Sequence, residues 1–553
     1  LRTLGWIAGI IILLMVIASL VASLYLPSML RDRIQRVVVS GSDSLYTCEI
    51  GDVSVNLWKR RVTVRNVVIR ADTNRYNKMK AAGNLPLMTF DISLSKGSIG
   101  GFAILPFVFG RRIKLSNITA EEAGIDLFRH YERPAPRTPR APLWKMIRPS
   151  IRGIHIGEIV LNKIRFSYRH SDEKRTMRFR YEDCSARLEK IDIDSTGFSD
   201  PARVLYTRDI IVRFRNISSY VADSMYELKA GEVEYSSFSK IATAKDFSLL
   251  PAAHPSEFTR RNGQQIDVYH VQVPMLRATN FQLTSLFANN LMAADTMFTT
   301  KPSLLIYRDR TAPPDTVTKY GRYPNEALMG APFTLRVPVL VLTTASVAYK
   351  EKQARSGVEG LLAFTDIDGT IKNITNDSSD LQKNGHCVID LEGLFLGEGK
   401  MKAIFDFDLA SEDGSYAASA DLGEVSGSSM NKITVPFANL RLNSVRLHNA
   451  KFTLRGNRDG TSGTLEMVYN DLNVELLKVK DSSPAKEQKF LSFLANAVAI
   501  RKNNPADGHT AQNVVVIRTR VQPFFNLIWR TILGGMKEIM LKGAAKKIKL
   551  GNE

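Results

Sequence analysis

Two carboxylates come closest to a catalytic pattern. The apolar run Leu361-Leu362-Ala363-Phe364 leads through Thr365 into Asp366-Ile367-Asp368-Gly369-Thr370. Carboxylates at that spacing are candidates for nucleophilic or metal-assisted chemistry. No adjacent Asp-Asp pair follows Thr370 to extend them. Asp366 and Asp368 therefore read as strand-end residues on the polar side, and no catalytic residue is assigned.

The D-x-D-G-T run resembles the first motif of haloacid-dehalogenase phosphatases. That resemblance implies the first Asp as nucleophile, the second as acid/base, Mg²⁺ held by both, a downstream lysine, a further acidic pair and a βαβ domain, whereas no such acidic pair follows and the downstream pattern here is antiparallel. There is no G-x-S-x-G, no Walker A loop and no H-E-x-x-H. The eight histidines are scattered, so no metal site is expected. Cys48, Cys184 and Cys387 are too widely spaced for a disulfide framework or a metal-type pair. The expectation is a protein that is not an enzyme and carries no cofactor.

The elements say more. No charged residue occurs from Thr3 to Leu30, and Gly5–Leu26 is almost entirely apolar. As a helix it would be roughly 33 Å long, enough for one hydrocarbon core. Trp6 and Tyr25 would sit near its ends, and Pro27 would stop it. A cleaved signal peptide has an apolar region of about 7–15 residues and a small-x-small site. Ala22-Ser23-Leu24 is a poor site, so a retained anchor is expected over 1–27. Arg2 precedes it, and Arg31, Arg33 and Arg36 follow it. Counted alone, those charges would place the body in the cytoplasm.

Beyond the anchor, Ser28–Val38 reads as a short amphipathic helix, and then strands dominate. Val53, Val55 and Leu57 alternate with polar neighbours, as do Phe90, Ile92 and Leu94. Ile164, Phe166 and Tyr168, then Met177 and Phe179, then Val212 and Phe214 alternate with basic residues. Phe405 and Phe407 alternate with acidic ones. Aromatics on the apolar face suit packing better than base stacking, so no nucleic-acid partner is expected. Further helical segments are few, with Leu283–Ala294, Phe490–Ile500 and Phe524–Leu541 the best candidates. The sequence divides into a 28–132 β-rich segment, a Pro-rich basic linker at 133–149, a β-rich domain over 150–310, a loop at 311–332, a β-rich groove domain over 333–521 and a C-terminal helix within 522–553.

The formal charge is +20, which favours anionic partners. From Arg129 to Lys190 there are 16 Lys/Arg against 7 Asp/Glu. In the tail, Phe525, Ile528, Trp529, Ile532 and Met536 recur at helical spacing, with Arg530, Lys537 and Lys542 largely off the stripe. Such a helix suits an anionic membrane surface. Docking onto the end of the sheet is the alternative.

Together these features resemble the AsmA-like envelope proteins of Gram-negative bacteria, relatives of TamB and of bridge-like lipid-transfer proteins. The similarity lies in the anchor followed at once by β segments, in Gly393–Gly399 before the strand Met401–Leu409, and in the final block from Tyr469 to Leu533. It implies an inner-membrane anchor, a periplasmic body and a mostly β, elongated, curled antiparallel sheet with a hydrophobic groove. Ile164, Phe166, Tyr168, Met177, Phe179, Val212, Phe214, Phe405 and Phe407 are the expected groove lining. Acyl chains would lie there, with anionic headgroups at the basic rim and envelope proteins as further partners. A closed sheet serving as a structural or assembly factor is the other reading.

Overall fold

The computed structural model describes residues 25–101, 112–129, 144–145, 152–171, 176–477 and 500–542, apart from 30, 33, 37, 57, 87, 201, 205, 222–224, 284, 287–289 and 355–356. These residues are mostly β, as expected, with a few helices. Among them no helix is long and apolar enough to cross a membrane. Residues 1–24 of the expected anchor lie outside the described set. Residues 25–29, 31–32, 34–36 and 38–41 are helical, so Pro27 does not end the helix there. Proline lacks only its own N–H, and the turns beyond it keep their ladder.

The chain forms two compact units: residues 1–217 with 232–240, and 218–231 with 241–553. The first contains β1 (Tyr46–Asn56), β2 (Arg61–Ala71), α1 (Thr73–Ala81), β3 (Met88–Gly100), β4 (Arg112–Arg129), β5 (Gly153–Ser171), β6 (Thr176–Ile193) and α2 (Ser195–Ser199). It also contains most of β7 (Thr207–Val221). Neighbours in sequence are neighbours in the sheet, and every pairing is antiparallel except β4–β5. Parallel strands cannot be joined by a tight hairpin and need a long crossover. The Pro-rich stretch 133–149 lies in that crossover, so it links paired strands of one unit instead of separating two domains. Only Trp144 and Lys145 of it are described.

β8 (Tyr226–Ser236) is divided between the units at Gly231, and the second unit continues with β9 (Ile241–Pro251), α3 (Pro255–Asn262), β10 (Asp267–Thr279), β11 (Leu291–Ala293), β12 (Thr296–Thr300), β13 (Ser303–Asp309), α4 (Pro324–Met329) and β14 (Thr334–Lys352). Then follow β15 (Glu359–Thr375), α5 (Ser378–Leu381), β16 (His386–Phe395), β17 (Gly399–Asp408), β18 (Tyr416–Leu422), β19 (Val425–Ser426) and α6 (Gly427–Ala438). The unit closes with β20 (Leu440–Gly456), β21 (Gly460–Leu476), β22 (Ala511–Ile517) and α7 (Phe524–Met540). Strands β11, β12 and β13 run parallel to β14. The loop at 311–332 is again the connection that a parallel neighbour requires.

Two of the expected helices fare differently. Within Leu283–Ala294 the structure places β11 at Leu291–Ala293, because those residues pair with Thr334–Arg336. Phe490–Ile500 lies outside the described residues except Ile500, which bridges to Leu541.

Asn66, Glu122 and Lys163 have φ of 54°, 56° and 50°, at interruptions of the ladders on β2, β4 and β5. Beside Lys163 the β5–β6 register also shifts, and such a bulge bends a strand and increases its twist.

The buried clusters are unequally distributed. In the second unit, α7 lies on β21 and β22, and Leu527, Ile528 and Ile539 join two large clusters beneath it. Among the described residues of the first unit the clusters collect at β1–β3, where Ile34, Val38 and Met79 pack against Leu45, Cys48, Ile50 and Val53.

Candidate functional site

In the first unit, cross-strand partners place one apolar row across six strands. Cys48 opposes Ile69, Ile69 opposes Ile92, Ile92 opposes Ile125, Ile125 opposes Phe166, and Phe166 opposes Tyr181. Residues directly opposite project from the same face. A second row runs Phe90, Leu127, Tyr168 and Phe179. A third joins Ile164, Cys184 and Phe214. The Phe214 ring meets those of Phe166 and Tyr181 at 6.3 and 5.4 Å between centroids.

Ile164 and Cys184 are buried, whereas Ile92, Ile125, Phe166, Tyr168, Val212 and Phe214 are half-buried. Met177 and Phe179 take their places on β6, but their side chains lie outside the described set. Burial pushes the Cys184 thiol up to about 11, which matches an apolar setting. Ile92, Ile125, Leu127 and Tyr181 extend the face beyond the residues singled out from sequence.

The opposite face is charged and internally matched. Arg213 pairs with Glu234, Arg215 with Glu232 at 3.3 Å, Arg187 with Glu158 at 3.0 Å and Arg65 with Asp52 at 3.1 Å. Of the alternating arginines, Arg213 and Arg215 thus serve as cross-strand ion-pair partners. Exposed pairs of this kind contribute little stability.

The second unit carries its own row: Leu249, Val271, Leu304, Val347, Phe364 and Phe395, all half-buried. Phe405 and Phe407 fall elsewhere. Phe407 is 4% exposed in the cluster under α7, where its ring lies 5.7 Å from Phe524. Phe405 packs on the same cluster. Phe407 is therefore core, a correction to its expected place in an open lining.

Helix α7 docks through the face expected to meet a membrane. Ile528 is buried, Ile532 and Met536 pack on the clusters, and Trp529 and Arg530 are half-buried. Burial pulls the Lys537 ammonium down. Phe525, 62% exposed, and Lys542 remain outward. The apolar stripe meets the sheet because β21 and β22 present Leu465 and Ala511 to it.

Asp366 and Asp368 are exposed on β15. Asp366 has φ of 49° at a register break, and Asp368 accepts a hydrogen bond from the Thr344 N–H. Among the described residues no three His, Cys, Asp or Glu side chains converge as a metal site. A shallow depression of about 620 Å³ on the second unit is lined by His386, Asp406, Arg455 and Val515 among others.

The sequence matches no family model and no curated protein. The likeness to AsmA-like proteins therefore rests on pattern.

Proposed function

We propose that this chain is a membrane-anchored, non-enzymatic protein of the bacterial envelope that holds lipid acyl chains on an apolar sheet face, for lipid transport or outer-membrane homeostasis. The observation that carries this reading is the row from Ile92 through Ile125 and Phe166 to Tyr181, half-buried beyond the clusters that take in Cys48 and Ile69. Four strands, β3 to β6, make this part of the row roughly 14 Å long at about 4.8 Å spacing. That is close to the ~15 Å of half a hydrocarbon core. Each buried CH₂ of a chain lying there contributes about 0.8 kcal/mol. The resemblance to AsmA-like proteins supports an inner-membrane anchor with the body in the periplasm.

A second reading, a structural or assembly factor with no lipid path, draws support from the second unit. There α7 covers the sheet and Phe407 is core. Site-specific photo-crosslinking of the full chain in its membrane separates the two. A photoreactive residue at Phe166 should capture lipid, and one at Arg187 on the charged face should not. No lipid adduct at Phe166 would leave the structural reading alone.

A further inference from the structure

We propose that one end of the first unit's sheet is a docking edge that seats on the anionic headgroups of a bilayer. Register defines the end: Arg61, Gly100, Asn117, Glu158, Glu189 and Asp209 oppose one another in turn from β2 to β7. Just beyond this line lie the β1–β2 turn, α2 and the turn after Ser236.

That end gathers aromatics. Trp58 is 72% exposed, Phe198 55% and Phe238 57%. Phe198 and Phe238 are held, not loose. Phe198 lies between Trp144 and Tyr206, at 6.5 and 6.0 Å between centroids. The Arg208 guanidinium sits 4.8 Å from the Phe238 ring. Exposed bases surround them: Lys59, Arg60, Arg112, Lys145 and Lys240. The nearby acids are already engaged. Asp192 and Asp200 hold Arg203 at 2.7 and 3.1 Å, Asp194 caps α2, and Asp209 accepts from the Phe238 N–H at 3.0 Å. Amphipathic rings among cations suit the headgroup zone of an anionic leaflet.

The path of the chain points the same way. Val38 packs beside Leu45 and Tyr46, Ile34 beside Cys48, Ile50 and Val53, and the Arg31 guanidinium donates to the Gly51 carbonyl at 2.8 Å. Followed toward its N-terminus, this helical segment climbs β1 toward Asn56, the end that carries Trp58. The described helical segment thus directs its N-terminal end, at Tyr25, toward the aromatic, basic end. The inference rests on the membrane-anchored part of the proposed function and not on lipid carriage.

The test uses the full chain in lipid nanodiscs. Its three native cysteines are buried, so an environment-sensitive fluorophore reports a single introduced cysteine. Trp58→Cys and Phe198→Cys probe the edge; Met88→Cys, at the far end of β3, is the control. In discs containing phosphatidylglycerol, nitroxide-labelled lipid should quench the first two at least about twofold more than the third. Lys59→Glu with Arg60→Glu should remove most of that difference while the melting temperature holds. Equal quenching at all three positions, or a chain that neither enters discs nor binds anionic vesicles, overturns the proposal. Quenching at the edge without a lipid adduct at Phe166 would keep the edge and discard the lipid path.

Discussion

The Oδ1 of Asp368 accepts a hydrogen bond from the Thr344 backbone N–H at 2.9 Å. Thr344 has φ of 53° and Asp366 of 49°, each at a register break between β14 and β15. The most enzyme-like motif of the sequence thus lies at a paired bulge. Asp368→Asn preserves an acceptor and should leave melting unchanged. Asp368→Ala should cost no more than about 1 kcal/mol, because the exposed N–H can turn to water. Asp366→Asn should be neutral and Asp366→Ile should cost about 1–2 kcal/mol, since a branched residue resists positive φ. Thermal melts check these outcomes. A Mg²⁺-dependent phosphatase activity lost in Asp366→Asn would reinstate the enzymatic reading.

Gly535 decides how closely α7 approaches the sheet. A Cβ there would stand 2.8 Å from the Leu465 Cβ and 3.0 Å from its Cδ2. Gly535→Val should therefore lift the helix and destabilise the second unit by about 1–3 kcal/mol. Hydrogen exchange across residues 524–540 should speed up, while exchange in β3–β6 stays as it was. Unchanged protection of α7 would mean that the helix is not seated on β21.

Strand content and the alternating faces were legible because a period of two survives in each strand separately, as at Phe90, Ile92 and Leu94. Register was not, because it depends on partners far away in sequence. Nothing local says that Ile125 opposes Phe166 in a parallel pair. The fate of Phe405 and Phe407 was hidden for the same reason. Their strand looks like that of Phe166 until α7, more than a hundred residues later, folds over it. The helix itself was readable from its spacing, but its stripe suits a sheet as well as a membrane.

His386 should titrate above an ordinary histidine. Its Nδ1 lies 2.8 Å from the Asp406 Oδ1, and the hydrogen bond to that carboxylate, reinforced by its charge, raises the pKa. A histidine raised in the folded state adds stability that is fully present below about pH 6.5. That stability is lost as pH rises through the folded value. The pair is exposed, so the effect is small and fades in high salt. Proton NMR should show the elevated titration, and His386→Gln should flatten the difference between melts at low and high pH. An ordinary titration in the wild-type chain would show that the pair does not form.

A charge placed at Phe166 and at Phe407 should produce opposite phenotypes. Phe407 is 4% exposed among Tyr416, Phe405 and Phe524, so Phe407→Glu buries a carboxylate without a partner. The second unit should lose several kcal/mol or fail to fold, whether or not lipid is carried. Phe166 is half-buried in an apolar row beyond the clusters of its unit. There water or headgroups can reach a carboxylate, so Phe166→Glu should fold with a melting temperature near that of wild type. If acyl chains use this face, the same variant should lose photo-crosslinking to lipid from a probe at Ile125, the residue opposite. Phe166→Leu, which keeps the surface apolar, should retain it. A Phe166→Glu chain that unfolds as Phe407→Glu does would show that the first unit's face is closed by close packing, and the lipid path would be withdrawn.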